Sequence, residues 1–279
     1  TRNIRNITAG TGQGDISDLR IDAQGSLTGG LFGRNIVRTD LDIDGEVRAV
    51  TAGGDLRASA VRAGVIRQIS AAGSIRSSSF LAAGRIDSIT AGDNMTSVKI
   101  ASDGPNGGIG LIQSAFFLTG EISSQGPIGS IISTLGTIIA EVRTTDAENG
   151  TLTLLQAAQD AIVKLDVASH VDRIIAGRNI GAQGDENTSR AINVRGNLNI
   201  IQANTGQIYT DVRVGQGLNL VQQARVVALP GNDLVSRAVI HAFGRINTVN
   251  IFGDFNGSII SESGGIGTVT ITDGSFRPG

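Results

Sequence analysis

Three aspartates alternate in one short stretch: Asp40, Asp42 and Asp44 in the string TDLDIDGE. If that stretch is extended, alternation sends the three carboxylates to one face and Leu41 and Ile43 to the other. Spaced carboxylate oxygens are hard-cation ligands, and D-x-D-x-D-G is how an EF-hand-type Ca²⁺ loop begins. The match then stops, because the twelfth position holds Thr51 in place of Glu and no helix is expected on either side. A solvated acidic face is the heavier reading and a surface Ca²⁺ site the lighter. Ca²⁺ is the one cofactor the sequence suggests. Asp15 and Asp18, in GTGQGDISD, form a single imperfect copy of a Gly-Asp Ca²⁺ repeat, which is a weak signal.

Basic residues make a second candidate. Arg48, Arg57, Arg62, Arg67, Arg76 and Arg85 cluster, and the pairs Arg48/Arg67 and Arg57/Arg76 are each 19 residues apart. If about 19 residues make one structural repeat, these four stack as outward ladders. Stacked like charges repel unless carboxylates or an anionic glycan sit between them. Glu46, Asp55 and Asp87 are spaced to do so. Arg48, Arg57, Arg67 and Arg76 therefore read first as a solvated face and second as a polyanion-binding face. His170 and His241 are the only histidines, 71 residues apart with no Cys or His close by, and read as surface or corner residues. No catalytic residue is assigned.

Composition narrows the frame that carries these groups. Net charge is −2 and the pI about 5.7, which lacks the electrostatic footprint of a nucleic-acid binder. No cysteine is present, so there is no disulfide framework and no Cys-based metal site. No run approaches the roughly 18 apolar residues needed to span a membrane. Glycine is abundant, at 39 of 279, while aromatics make up 3%, with no Trp and Tyr209 alone among tyrosines. Abundant Ile, Val and Leu between glycines suits many short strands joined by tight bends.

Those strands repeat. GEVRAVTAG (45–53), GVIRQISAAG (64–73) and GRIDSITAG (84–92) share a pattern, and GDLRASAVRAG (54–64) and GSIRSSSFLAAG (73–84) lie between them. One pair of segments makes a unit of about 20 residues. Its second aliphatic residue recurs at Ile7, near Gly30, then at Val50, Ile69, Ile89, Ile112, Ile131, Leu155, Ile174, Ile201, Val221, Val249 and Val269. Gly30 fits poorly, flanked by Leu27 and Leu31, and marks an irregular coil. Longer intervals coincide with polar Gly-rich insertions near 102–108, 144–149, 182–187 and 228–233, expected to project every second coil. Residues 152–175 are rich in helix formers, yet the period runs through them, so strand is expected there.

A 20-residue unit with two or three strands is the size of a parallel β-helix rung, with rungs about 4.8 Å apart. The expected fold is all-β: a right-handed parallel β-helix of about 13 coils, one solenoid domain over residues 1–279. The IxxIxAG-GxIxxSxIxAG texture resembles the Gly- and Ala-rich repeat regions of large secreted or surface-anchored bacterial proteins. That resemblance implies an extracellular or cell-surface setting and an adhesin-like role. The repeat reaches both termini, with Ile4 and Ile7 in the first coil and Val269 and Ile271 in the last. These four are the candidate self-assembly residues, joining a second copy end to end or the neighbouring turns of a longer protein.

The expected function is structural or interactive, as a stalk, adhesin segment or filament subunit, with a glycan or cell-surface partner a further possibility. Two alternatives remain. One is a polysaccharide lyase or hydrolase, since such enzymes use this fold; Asp40, Asp42 and Asp44 with Arg38 or Arg48 would have to supply its chemistry. The other is a trimeric phage-type fibre or spike.

Overall fold

A computed structural model of the chain describes residues 3–9, 14–105, 107–182, 191–223, 239–252, 255–272 and 276–278. Those residues hold 28 strands and no helix. Every strand pairing is parallel and joins one turn to the next. Ile7, Leu31, Val50, Ile69, Ile89, Ile112, Ile131, Leu155, Ile174, Ile201, Val221, Val249 and Val269 stand in register. Thirteen rungs bound twelve steps, so the molecule is an all-β parallel solenoid of about 12 turns, roughly 20 residues each.

These rungs are the expected markers with one replacement, Leu31 for Gly30. The register shifts between Leu27 and Leu31, where Gly29 and Gly30 put an extra residue into the strand as a β-bulge. A Cβ added to Gly29 would lie 2.2 Å from the Arg5 carbonyl oxygen, a backbone atom that cannot swing aside, so the bulge favours glycine. The helix-like stretch is strand, as Leu152–Ala157, Ala161–Val167 and Val171–Ala176.

Each turn has three faces. In the third turn, face A is 46–52, face B is 55–57 and face C is 60–63. Face A buries two ladders, the marker ladder and one running from Ile4 through Val47 and Ile66 to Ile266. Face B contributes Ile16, Ile36, Leu56, Ile75, Met95, Leu118 and Ile138. Face C contributes Leu41, Val61, Phe80, Ile100, Ile122, Val142 and Leu165. Away from the end turns these residues are buried, and together they form a single continuous core. Aliphatic side chains of matched size stack on themselves, which suits a sequence scarce in aromatics: among the described residues Phe80 is the one large ring fully inside.

The corners are built differently from one another. At the C–A corner a glycine column lets adjacent turns approach. A Cβ on Gly64 would meet the Asp44 carbonyl oxygen at 2.6 Å. At the B–C corner, Asp18, Arg38, Ala58, Ser77 and Ser97 all take positive φ, between 48° and 56°. The residue that follows is buried Thr39, Ser59 or Ser78 in the middle turns. Ser59 Oγ donates to the Arg57 carbonyl at 2.8 Å and accepts the Thr39 N–H at 3.2 Å, and Ser78 repeats both bonds one turn on. After Ser97 the pattern ends: strands Leu118–Ser124, Ile138–Thr144 and Ala161–Val167 run from face B into face C without a positive-φ side-chain-bearing residue.

Two of the expected insertions, 102–108 (of which 106 lies outside the described residues) and 144–149, lie at the C–A corner two turns apart, with the short crossing Gln125–Pro127 between them. The insertion at 182–187 lies outside the described residues except for its first position, and that at 228–233 lies wholly outside them.

Candidate functional site

Alternation along face C holds for the aspartates. Leu41 and Ile43 are buried, Asp42 and Asp44 are exposed and Asp40 is half-buried. Asp42 stands between Asp22 on one side and Arg62 on the other. Successive outward carboxylates on a strand are roughly 6.6 Å apart along the backbone, and Asp40 Oδ1 is buried without a hydrogen-bond partner. Among the described residues no three His, Cys, Asp or Glu side chains group closely enough to hold a metal ion. Asp15 and Asp18 are engaged elsewhere. Asp15 takes two bonds from Arg34, at 3.0 and 3.1 Å, and Asp18 takes a 2.7 Å bond from Arg38. Each carboxyl is held below its ordinary pKa, chiefly by its arginine.

The arginine ladders exist, on two faces. Arg57 and Arg76 are register partners on face B. On face A, the pairs Val47/Ile66 and Ala49/Gln68 bracket Arg48 and Arg67 and set them side by side. The three expected carboxylates sit among them. Arg67 lies between Glu46 at 3.0 Å and Asp87 at 3.1 Å, Asp87 also pairs with Arg85, and Arg57 pairs with Asp55. Arg48 reaches only the Thr28 carbonyl, at 3.5 Å, and Arg76 only Ser74 Oγ, at 3.1 Å. The pairs are exposed and contribute little to stability, about 0–1 kcal/mol each. Their effect is to leave Arg48 and Arg76, on different faces, as the ladder cations without a direct salt bridge, Arg76 acting on Asp55 only through its field.

The histidines occupy separate sites. His170 Nδ1 accepts the Asn197 N–H at 2.8 Å at a corner, and His241 Nε2 lies 2.8 Å from Glu262 Oε1.

One column escaped the sequence reading. At the A–B corner, side-chain oxygens accept backbone N–H groups from the next turn: Asp15 from Asn35 at 3.2 Å, Asn35 from Asp55 at 3.0 Å and Asp55 from Ser74 at 2.7 Å. Asp160 and Asn179 repeat this later, accepting from Asn179 at 3.0 Å and from Gln207 at 2.9 Å. The Ser74 N–H, with help from Arg57, holds the Asp55 carboxyl below its usual range. Burial pushes Asp160 up, but bonds from Arg178 and Asn179 outweigh it and the carboxyl stays low. An Asp or Asn recurring just before the face-B aliphatic was the available signal.

The end turns differ from the middle. Marker-ladder residues are at most 1% exposed from Leu31 to Val249. On the last rung Val269 is 44% exposed and its neighbour Ile266 41%. Ile271, Ile4 and Ile7 are half-buried against the core.

Compared with known proteins, the chain matches no family model, no curated protein and no solved structure. No helix among the described residues is long and apolar enough to cross a membrane.

Proposed function

We propose that this solenoid is an extracellular structural or interaction module whose turns stack on further turns, as a stalk or adhesin segment or as a filament subunit. What supports the reading is the ladder itself: marker residues from Leu31 to Val249 are at most 1% exposed because each turn covers the last with the same class of side chain. Any rung fits on any other, because each presents the same row of aliphatic side chains and the same unpaired strand edge. The Gly- and Ala-rich texture supports a cell-surface setting, and the right-handed winding favoured by parallel crossovers completes the picture.

Electron microscopy of the purified chain tests this. Filaments of constant width, abolished by Val269→Asp, are the expected outcome for a subunit that stacks on its own kind. Isolated rods of roughly 60 Å, the length of twelve steps, would remove the filament and leave the stalk or adhesin segment.

A further inference from the structure

Phe116 and Phe117 stand at the A–B corner, 43% and 51% exposed, and Leu135 one turn on is 57% exposed. The two turns are bonded there: the Leu135 N–H donates to the Ala115 carbonyl at 2.7 Å and the Leu118 N–H to the Thr137 carbonyl at 3.0 Å. Face B continues the apolar surface, where Ile139, 36% exposed, stacks on half-buried Ile162.

The fold itself does not ask for this. Phe117 occupies the corner column in which Asn35, Asp55, Asn94, Asp160 and Asn179 each accept an N–H from the next turn. Asn94 Oδ1 accepts the Phe117 N–H at 3.1 Å, but Phe117 has no oxygen to offer onward. Every other position of this column from Asn35 to Asn179 carries a polar side chain, Ser74 and Thr137 among them, whereas this one exposes an aromatic ring in a chain where aromatics are 3% of residues. Such a local violation, without a compensating contact inside the chain, marks a functional surface.

We propose that Phe116, Phe117, Leu135 and Ile139 pair with the same surface of a second copy, side by side about a two-fold axis. Two observations select that occupant. A fully buried Phe covers about 150–250 Å², so the four exposed fractions together offer roughly 400 Å² of apolar surface. A standard interface buries about 800 Å² per partner, of which about 57–65% is apolar, so the patch supplies most of one apolar core. A two-fold contact also sets every rim group near its own copy, so an unpaired charge there would meet its like. The residues flanking the corner are neutral, Ser97, Thr119, Thr134 and Gln159, and the next outward side chain beyond Ile139, Glu141, is held within the chain by Lys164 at 2.8 Å. The acids of the neighbouring corner turns are engaged within the chain, Asp93 with Ser74 and Asp160 with Arg178.

Sedimentation velocity of the full chain from about 10 µM to about 1 mM, the range suited to a small interface, tests the pairing. The expected result is a species of twice the monomer mass that saturates. Phe117→Asn restores the column's own side-chain type, so it keeps the fold, and it should weaken pairing about tenfold or more. Leu135→Ser should weaken it as well. A chain that stays monomeric throughout, including one whose patch serves a different macromolecule, overturns the proposal. So does dimerisation unchanged in both variants. End-to-end stacking is distinguishable, because it grows past the dimer in equal increments and is indifferent to Phe117.

Discussion

Residues 14–101 and 107–182 belong to one solenoid and turn their corners in different ways. In the first stretch the B–C corner is a sharp bend, made each time by a residue at positive φ and backed in the three middle turns by the buried hydroxyl residue Thr39, Ser59 or Ser78. In the second, one strand carries through from face B to face C. The first stretch lays ion pairs along faces A and B, while the second has an apolar patch at Phe117 and Ile139. Both bury the same ladders in the same register. The ladder therefore defines the fold, and a corner is acceptable in any form that brings the next aliphatic residue back over the last while its N–H groups find acceptors.

If the ladder governs both stretches, losing a rung from either should cost alike. Phe80→Ala and Leu165→Ala remove fully buried side chains from face C in the two stretches. Each should cost about 3–5 kcal/mol in urea unfolding, and tolerance of one but not the other would break the comparison.

Gly120 stands where the register shifts between the two corner styles. A Cβ there would lie 2.1 Å from the Val98 carbonyl oxygen. Gly120→Ala should cost about 3 kcal/mol and should split the unfolding transition at this seam.

Next in size is the A–B corner. Asp55→Ala leaves the N–H of Ser74, itself 1% exposed, without its acceptor, at about 1–3 kcal/mol. Asp55→Asn keeps an acceptor and should cost clearly less, although it removes the pair with Arg57. Acid acts on the same groups. Asp15, Asp55 and Asp160 of that column, together with Asp18 at the B–C corner, have folded pKa values below the ordinary 3.8. Their contribution is present above the unfolded value and is lost as pH falls through the folded values, so the melting temperature should drop below about pH 4. A melting temperature flat down to pH 2 would contradict the ionised column.

The smallest effect has the opposite sign. Ala58 holds φ at 48°, and Ala58→Gly should stabilise by up to about 1 kcal/mol. A loss instead would mean that the bend does not strain alanine.

The ladder was readable from sequence because burial repeats one side-chain class at one spacing. The outward alternation of Asp42 and Asp44, and the carboxylates beside Arg57 and Arg67, followed from that same register. The turn of Leu27–Leu31 resisted because a bulge changes the spacing where the marker would fall. The positive-φ corner resisted for another reason: Asp, Arg, Ala and Ser occupy it in turn, so no residue type announces it, and only the Thr39, Ser59 and Ser78 hydroxyls behind it keep a common character. Assembling the arginines into one face was beyond the sequence, since a corner lies between Arg48 and Arg57 and sends them outward from different faces.

Because each turn bonds only to its neighbours, the molecule behaves as a ruler whose divisions can be added or removed. Excising residues 64–83 would set Gly84 over Gly45, Ile86 over Val47, Ile89 over Val50 and Ile100 over Val61, each an existing kind of stack. An in-frame duplication or deletion of one such unit changes reach by about 4.8 Å and leaves the chemistry of every remaining turn as it was. Length in this protein is thus a quantity the gene can tune in whole steps.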